Sequence, residues 1–198
     1  FSEPVTIEAV QQLIPEDTAL VEFVLYEPFD AKASTTDKWG KPHYAAYILK
    51  SSGEPQWVDL GEAETIDKGY YFDRRGFGRD LVSKENLNLM KKSARSLDEL
   101  LMKPIREKLG DVNHIIISPD SQLNKIPFAA LVDENNQYLI ENYQITYLTT
   151  GRDLIQLQNE YNSRQNPVIV ANPNYDNPGQ PTTVPVAENS DSPQIWGA

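Results

Sequence analysis

The chain contains no cysteine. Without a thiol there is no disulfide, no thiolate metal site and no cysteine nucleophile within these residues, and nothing from which to read a redox compartment. Histidine is almost as scarce, at His43 and His114 alone. Positive charge is in deficit: 18 Lys and Arg against 29 Asp and Glu leave a net charge of −11. Such a surface repels phosphate backbones and anionic headgroups over most of its area, which argues against a general nucleic-acid or membrane partner but leaves room for a local basic patch. No apolar run approaches the roughly 18 residues of a membrane-spanning helix. Phe1 stands where an initiator Met would, with no charged leader and no cleavage pattern, so the chain reads as a piece of a longer, cytoplasmic protein and not as a secreted one.

What is present is globular. At 198 residues the chain can hold one sizeable core, or a core with an appended tail. Local signals agree best over residues 112–138, VNHIIISPDSQLNKIPFAALVDENNQY. Val112, Ile115, Ile116 and Ile117 make a β-branched run too short for a helix, which ends at Ser118 before the Pro119, Asp120, Ser121 turn. Leu123, Ile126, Phe128, Ala129 and Leu131 return apolar side chains to the core, with Pro127 interrupting any ladder. Asp133, Glu134, Asn135 and Asn136 then supply a polar hairpin turn before Tyr138, Leu139 and Ile140.

Upstream, residues 6–13 have helical spacing at Ile7, Val10, Leu13 and Ile14, with Thr6 as cap and Pro15 as stop. Residues 19–26, 43–50 and 56–60 read as three strands of an antiparallel meander, with a long polar loop at 27–42 between the first two. In the second strand Tyr44, Ala46 and Ile48 share one face, and Ala45, Tyr47 and Leu49 the other. Residues 61–90 are the least legible: a helix over 62–68 is interrupted by Gly69, Gly76 and Gly78. Ser96 and Glu99 form a capping box ahead of an apolar stripe at Leu97, Leu100, Leu101, Ile105 and Leu109, with Gly110 as stop. Pro104 lacks the donor for Leu100, so this helix should kink there or restart. Beyond a strand at 144–148 and a polar helix at 153–161, PVIVA at 167–171 reads as a strand buried in a parallel sheet. Residues 172–193 have linker composition, and Ile195 and Trp196 turn apolar again.

The order of a hydrophobic strand, P-D-x-x-L-x-x-I-P-F-x-A-L, a polar turn and Y-L-I-E resembles the middle of the CHAT domain, the caspase-like peptidase domain often found behind TPR repeats in bacteria. The matching residues are Pro119, Asp120, Leu123, Ile126, Pro127, Phe128, Ala130, Leu131, Tyr138, Leu139, Ile140 and Glu141. L-I-P-E-D-T-A-L-V-E-F from Leu13 is similar to the start of such domains, and L-D-E-L-L-M-K-P-I-R-E-K-L from Leu97 to the helix before the P-D motif. The resemblance, which runs from about Thr6 to Leu154, implies an α/β, caspase-like mixed sheet flanked by helices, with an N-terminal antiparallel meander. Residues 1–171 are then the N-terminal, pseudo-caspase-like part, and 172–198 a linker to a C-terminal catalytic half. Asn and Gln usage together with the resemblance suggests a cyanobacterial source.

Each candidate for chemistry has a plainer reading. His43 and His114 lack ligand spacing, and His114 lies in an apolar strand, so both read as satisfied or solvent-edge side chains and not as metal ligands. Ser118 and Asp120 near His114 have no G-x-S-x-G elbow to expose the serine. Gly76 and Gly78 lack the third glycine and preceding strand of a dinucleotide site. Tyr70, Tyr71 and Phe72 among Arg74, Arg75 and Arg79 could form a single-strand nucleic-acid platform, or an irregular insertion over 69–80 packed on neighbouring strands; the acidic whole favours the second. Asp59, Glu62 and Glu64, or Asp133 with Glu134, would pair as acid and base only in a closed pocket, and solvated turns explain them. Asp120 most simply accepts the N–H of Gln122 or Leu123 in an Asx turn, or else orients a neighbouring catalytic half.

In the family a Cys–His pair does the chemistry, in the C-terminal half. No residue of this chain inherits a catalytic, cofactor-binding or metal-binding role. The expected partners are that half, upstream TPR repeats, and protein substrates or regulators of the parent. A binding or assembly module without peptidase activity is the alternative.

Overall fold

The computed structural model describes residues 4–34, 37–76 and 84–158, and side chains except those of residues 70–86. The strand at 167–171, the linker at 172–193 and the apolar end lie outside the described residues, as do the side chains of Tyr70, Arg74, Arg75 and Arg79 and the whole of Gly78.

Five strands form one mixed sheet in the order β3-β2-β1-β4-β5. β1 (Thr18–Tyr26), β2 (His43–Lys50) and β3 (Gln56–Glu62) are the antiparallel meander. β4 (His114–Ser118) and β5 (Gln144–Tyr147) then add in parallel beyond β1. The loop at 27–42 is itself a long hairpin, drawn together by a bridge between Phe29 and Trp39. β1 is therefore central and needs cover on both faces, and ALVEFVLY supplies apolar residues in both phases of its alternation. Ala19, Val21 and Phe23 face one layer of helices, while Leu20 faces the other.

The larger layer is α2 (Ala63–Gly76) and α3 (Lys84–Leu109). Leu97, Leu101, Met102, Ile105 and Leu109 of α3 join Ile66 of α2 against Tyr44, Ala46, Ile48, Ile115 and Ile117. The smaller layer is α1 (Ile7–Gln11) with α5 (Asp153–Gln156), which bring Val10 and Leu154 onto Leu20 and Ile116, beside Ile14. Thr6 caps α1 by accepting the Ala9 N–H at 3.2 Å. Gln11 ties α1 to the β2–β3 turn, its Nε2 donating to the carbonyls of Lys50 at 3.0 Å and Gly53 at 2.9 Å.

Three expectations need correction. The interruption at Gly69 does not occur: α2 runs on to Gly76, with Ile66 packed among the α3 and sheet side chains of the core. That packing outweighs the helix penalty of glycine, about 1 kcal/mol. Second, α3 starts at Lys84 and runs over both the Ser96 capping signature and Pro104 without a break. The acids of that signature have other partners: Glu99 pairs with Arg95 one turn earlier at 3.1 Å, and Asp98 is fully buried. Third, the hairpin expected after the apolar return barely forms. Ser121–Lys125 and Phe128–Ala130 are 3₁₀ turns that drop Leu123 and Phe128 into the core. The hairpin shrinks to a single bridge between Val132 and Tyr138, and Leu139–Asn142 forms a helical turn, α4, because Glu141 reaches back to accept the Tyr138 N–H at 2.7 Å. Gly110 ends α3 as its sequence position implies, at φ +67°.

Asp98 is locked by charge. Arg106 Nη1 donates to its Oδ1 at 2.6 Å and Nη2 to its Oδ2 at 2.8 Å, and Arg95 Nη1 adds a bond at 3.1 Å. Arg106 also holds Glu134, and so joins α3 to the polar turn at 133–136. Burial pushes the Asp98 carboxyl up, against the pull of Arg106 and Arg95. Burial pulls Arg106 down, but the bonds and charge of Asp98, then those of Glu134, hold it above its ordinary value. Asp98→Ala strands the Arg106 guanidinium without its main counter-charge and is expected to cost about 3–5 kcal/mol in urea denaturation, whereas Asp98→Leu with Arg106→Met recovers most of that loss.

Candidate functional site

In parallel α/β sheets, ligand chemistry gathers beyond the carboxyl ends of the strands. Here those ends belong to β1, β4 and β5, where the P-D motif meets the loop that leads into α5. The polar side chains there are Glu22, Ser118, Asp120, Thr150 and Asp153; all but Thr150 bond backbone groups directly, and Thr150 gives its hydroxyl to Glu22.

Asp120 follows β4. Its Oδ2 accepts the N–H of Leu25 at 2.8 Å, from the end of β1 far away in sequence. The Asx turn read from the sequence is therefore a backbone turn, in which the Asp120 carbonyl accepts the Leu123 N–H at 3.0 Å, and the carboxylate is a clamp between strands. The cause is register: Thr18 to Glu22 pair in parallel with His114 to Ser118, so the ladder stops at Ser118 and Leu25 needs an acceptor further on. Ser118 Oγ donates to the Thr149 carbonyl at 3.0 Å, and the residue is buried.

Glu22 is the acidic residue that pattern reading passed over. The lone charge in ALVEFVLY was the available signal, since a carboxylate in a doubly covered strand must find donors. Its Oε1 accepts the Thr150 hydroxyl at 3.0 Å and the Gly151 N–H at 2.9 Å. Asp153 Oδ2 accepts the N–H of Thr149 at 3.1 Å and of Thr150 at 3.2 Å, completing the turn into α5. Gly151 has no room for a side chain: a Cβ there would lie 2.6 Å from Leu20 Cδ2, and Leu20 is itself buried.

The two histidines are separate. His114 Nε2 lies 2.9 Å from Thr146 Oγ1 and its Nδ1 3.3 Å from Thr18 Oγ1, so it bridges β1, β4 and β5 at their amino ends. His43 Nδ1 lies 3.1 Å from Asp59 Oδ1, and Tyr26 donates its hydroxyl to Asp59 Oδ2 at 3.1 Å. Although burial opposes it, the Gly61 N–H, His43 and Tyr26 hold the Asp59 carboxyl below its usual value. Glu62 pairs with Lys41 and Glu64 with Lys68, so Asp59, Glu62 and Glu64 do not converge. Asp133 accepts the N–H groups of Asn135 and Gln137, both at 2.9 Å, and so serves its own turn. Among the described residues no three His, Asp or Glu side chains gather as metal ligands, and no helix is long and apolar enough to cross a membrane.

These features define a mixed α/β scaffold, helices on both faces, whose strand-end polar groups serve structure. Comparison with protein families matches the CHAT domain over residues 91–194. The chain belongs to the CHAT domain family, a caspase-like peptidase family. The match takes in α3 from Lys91 onward, the P-D motif and β5, and continues past them; the similar phrase at Leu13 to Phe23 lies outside it. Among curated proteins no sequence matches the chain.

Two substitutions test the clamp and the turn. Asp120→Ala is expected to cost about 1–2 kcal/mol and to speed hydrogen exchange at the Leu25 amide selectively, while Asp120→Asn, which keeps an acceptor, does much less. Gly151→Ala must displace Leu20 and is expected to cost about 1–3 kcal/mol in the same denaturation assay.

Proposed function

We propose that this chain is the non-catalytic, N-terminal scaffold part of a CHAT-family caspase-like cysteine peptidase whose Cys–His pair lies after Ala198. The observation that carries the reading is the state of the strand ends in a chain without cysteine: Ser118, Asp120 and Glu22 each hold backbone, and the hydroxyls beside His114, those of Thr18 and Thr146, lie at the amino-terminal side of the sheet, away from those strand ends. Caspase-like hydrolysis needs a thiolate activated by an imidazole. The scaffold instead provides a preformed sheet, clamped at the strand ends, against which a catalytic half is positioned. Its partners in this reading are that half, upstream TPR repeats that receive a signal, and protein substrates of the parent, in the cytoplasm of a bacterium.

A second reading, an assembly module without peptidase activity, is favoured by β3. It is the outer strand of the meander, and its Trp57 is 58% exposed. Open edges of this kind accept partner strands.

Hydrolysis of fluorogenic peptides decides the matter. The isolated chain is expected to release no fluorophore above buffer, while the parent polypeptide does so and loses the activity on thiol alkylation. Hydrolysis by the isolated chain would overturn the scaffold reading. An inactive parent that keeps its partners in pull-down after deletion of the segment beyond Ala198 would establish the module instead.

A further inference from the structure

On the face of the sheet that carries α1 and α5, one cross-strand row is incompletely covered. Trp57 is the register partner of Tyr47, Tyr47 of Glu22, and Glu22 of Ser118. Register partners in adjacent strands project to the same face. Trp57 and Tyr47 are both more than half exposed. At the inner end, Glu22 commits Oε1 to Thr150 and Gly151, and no hydrogen bond from the described residues reaches its Oε2. Glu22 and Tyr47 both line an open groove of about 380 Å³, whose apolar walls include Ile7, Val10, Leu20 and Leu49.

We propose that this groove is a docking site for a basic side chain, arginine foremost, presented by an extended segment of a protein partner. An arginine carries its aliphatic stem along apolar surface while its guanidinium seeks acceptors and aromatic faces. The groove offers these in that order: Leu20 and Leu49 for the stem, Glu22 Oε2 for the donors, and the Tyr47 ring, continued by Trp57, for the face of the cation. A neutral aliphatic side chain in the same place would strip water from Oε2 and return no donor. The net charge of −11 draws a basic segment toward the chain from a distance. Arg152, exposed at the groove, is the one cation among the lining residues. It repels a second basic residue and favours an acidic one beside the arginine, so the segment recognised is a basic residue in mixed-charge surroundings and not a polybasic tract. The site does not depend on where any peptidase chemistry lies.

The test is fluorescence anisotropy with the full chain and two fluorescein-labelled, amidated peptides, Ala-Leu-Arg-Asp-Ala and the same sequence with citrulline for arginine, which keeps the shape and removes the charge. The arginine peptide is expected to bind roughly tenfold more tightly, as a charge-assisted hydrogen bond outweighs a neutral one. Glu22→Gln, which retains an acceptor for Thr150 and Gly151, should abolish that difference. Tyr47→Ala, at an exposed position that folding tolerates, should weaken the arginine peptide several-fold. Equal binding of the two peptides, no measurable binding of either, or an undiminished preference in Glu22→Gln that folds as judged by circular dichroism, would each overturn the proposal.

Discussion

The structure depends on β1 being buried from both sides while it carries a charge. A central strand with antiparallel β2 on one side and parallel β4 on the other has all its backbone groups occupied over the paired length. Its side chains must then meet two separate layers, α2 and α3 on one face and α1 with α5 on the other. Glu22 is tolerable there because donors from Thr150 and Gly151 come to it. The loop after β5 is thus fixed by the strand at the opposite side of β4, and Gly151 permits that approach because any side chain would meet Leu20.

The two layers are unequal, and this shapes what the molecule can do. The face under α2 and α3 holds most of the buried apolar residues, and the Asp98, Arg106 and Glu134 pairs fasten it to the polar turn at 133–136. Buried ion pairs of this sort add little net stability, but they fix one arrangement, since any other leaves a charge unmatched in apolar surroundings. The opposite face has two short helices, and Tyr47 and Trp57 stay in solvent beside them. Rigidity is concentrated on the first face and accessible surface on the second.

Much of this was legible in the sequence because strands announce themselves through local chemistry. The alternation in HYAAYILK, the β-branched run at Ile115 to Ile117 and the Gly110 stop each need only their neighbours to be understood. The misreadings arose where a distant partner overrides a local signal. Ser96 and Glu99 spell a helix start, yet Leu97 on the sheet and Asp98 on Arg106 belong to a helix already under way. Gly69 spells a break, yet α2 runs through it, held to the core by Ile66. Asp120 spells a local turn, and its acceptor serves Leu25 across the sheet. Glu22 was visible as an oddity, but its partners lie more than a hundred residues away and no local rule names them.

Membership of a peptidase family and strand-end polar groups that hold backbone are compatible once those groups are followed one by one. A hydroxyl or carboxylate can act on a substrate only if its lone pairs and proton are available when the substrate arrives. Ser118 gives its proton to Thr149, Asp120 its Oδ2 to Leu25, and Asp153 its Oδ2 to Thr149 and Thr150. Releasing any of them for catalysis would break a bond that holds strand-end or loop backbone in place. The P-D motif is thus a structural signature, the point where β4 is clamped to β1. Three carboxylate oxygens among the described strand-end groups accept no hydrogen bond there, Glu22 Oε2, Asp120 Oδ1 and Asp153 Oδ1, and of their residues only Glu22 lines the groove with the Tyr47 ring and apolar walls, a combination suited to holding a cation.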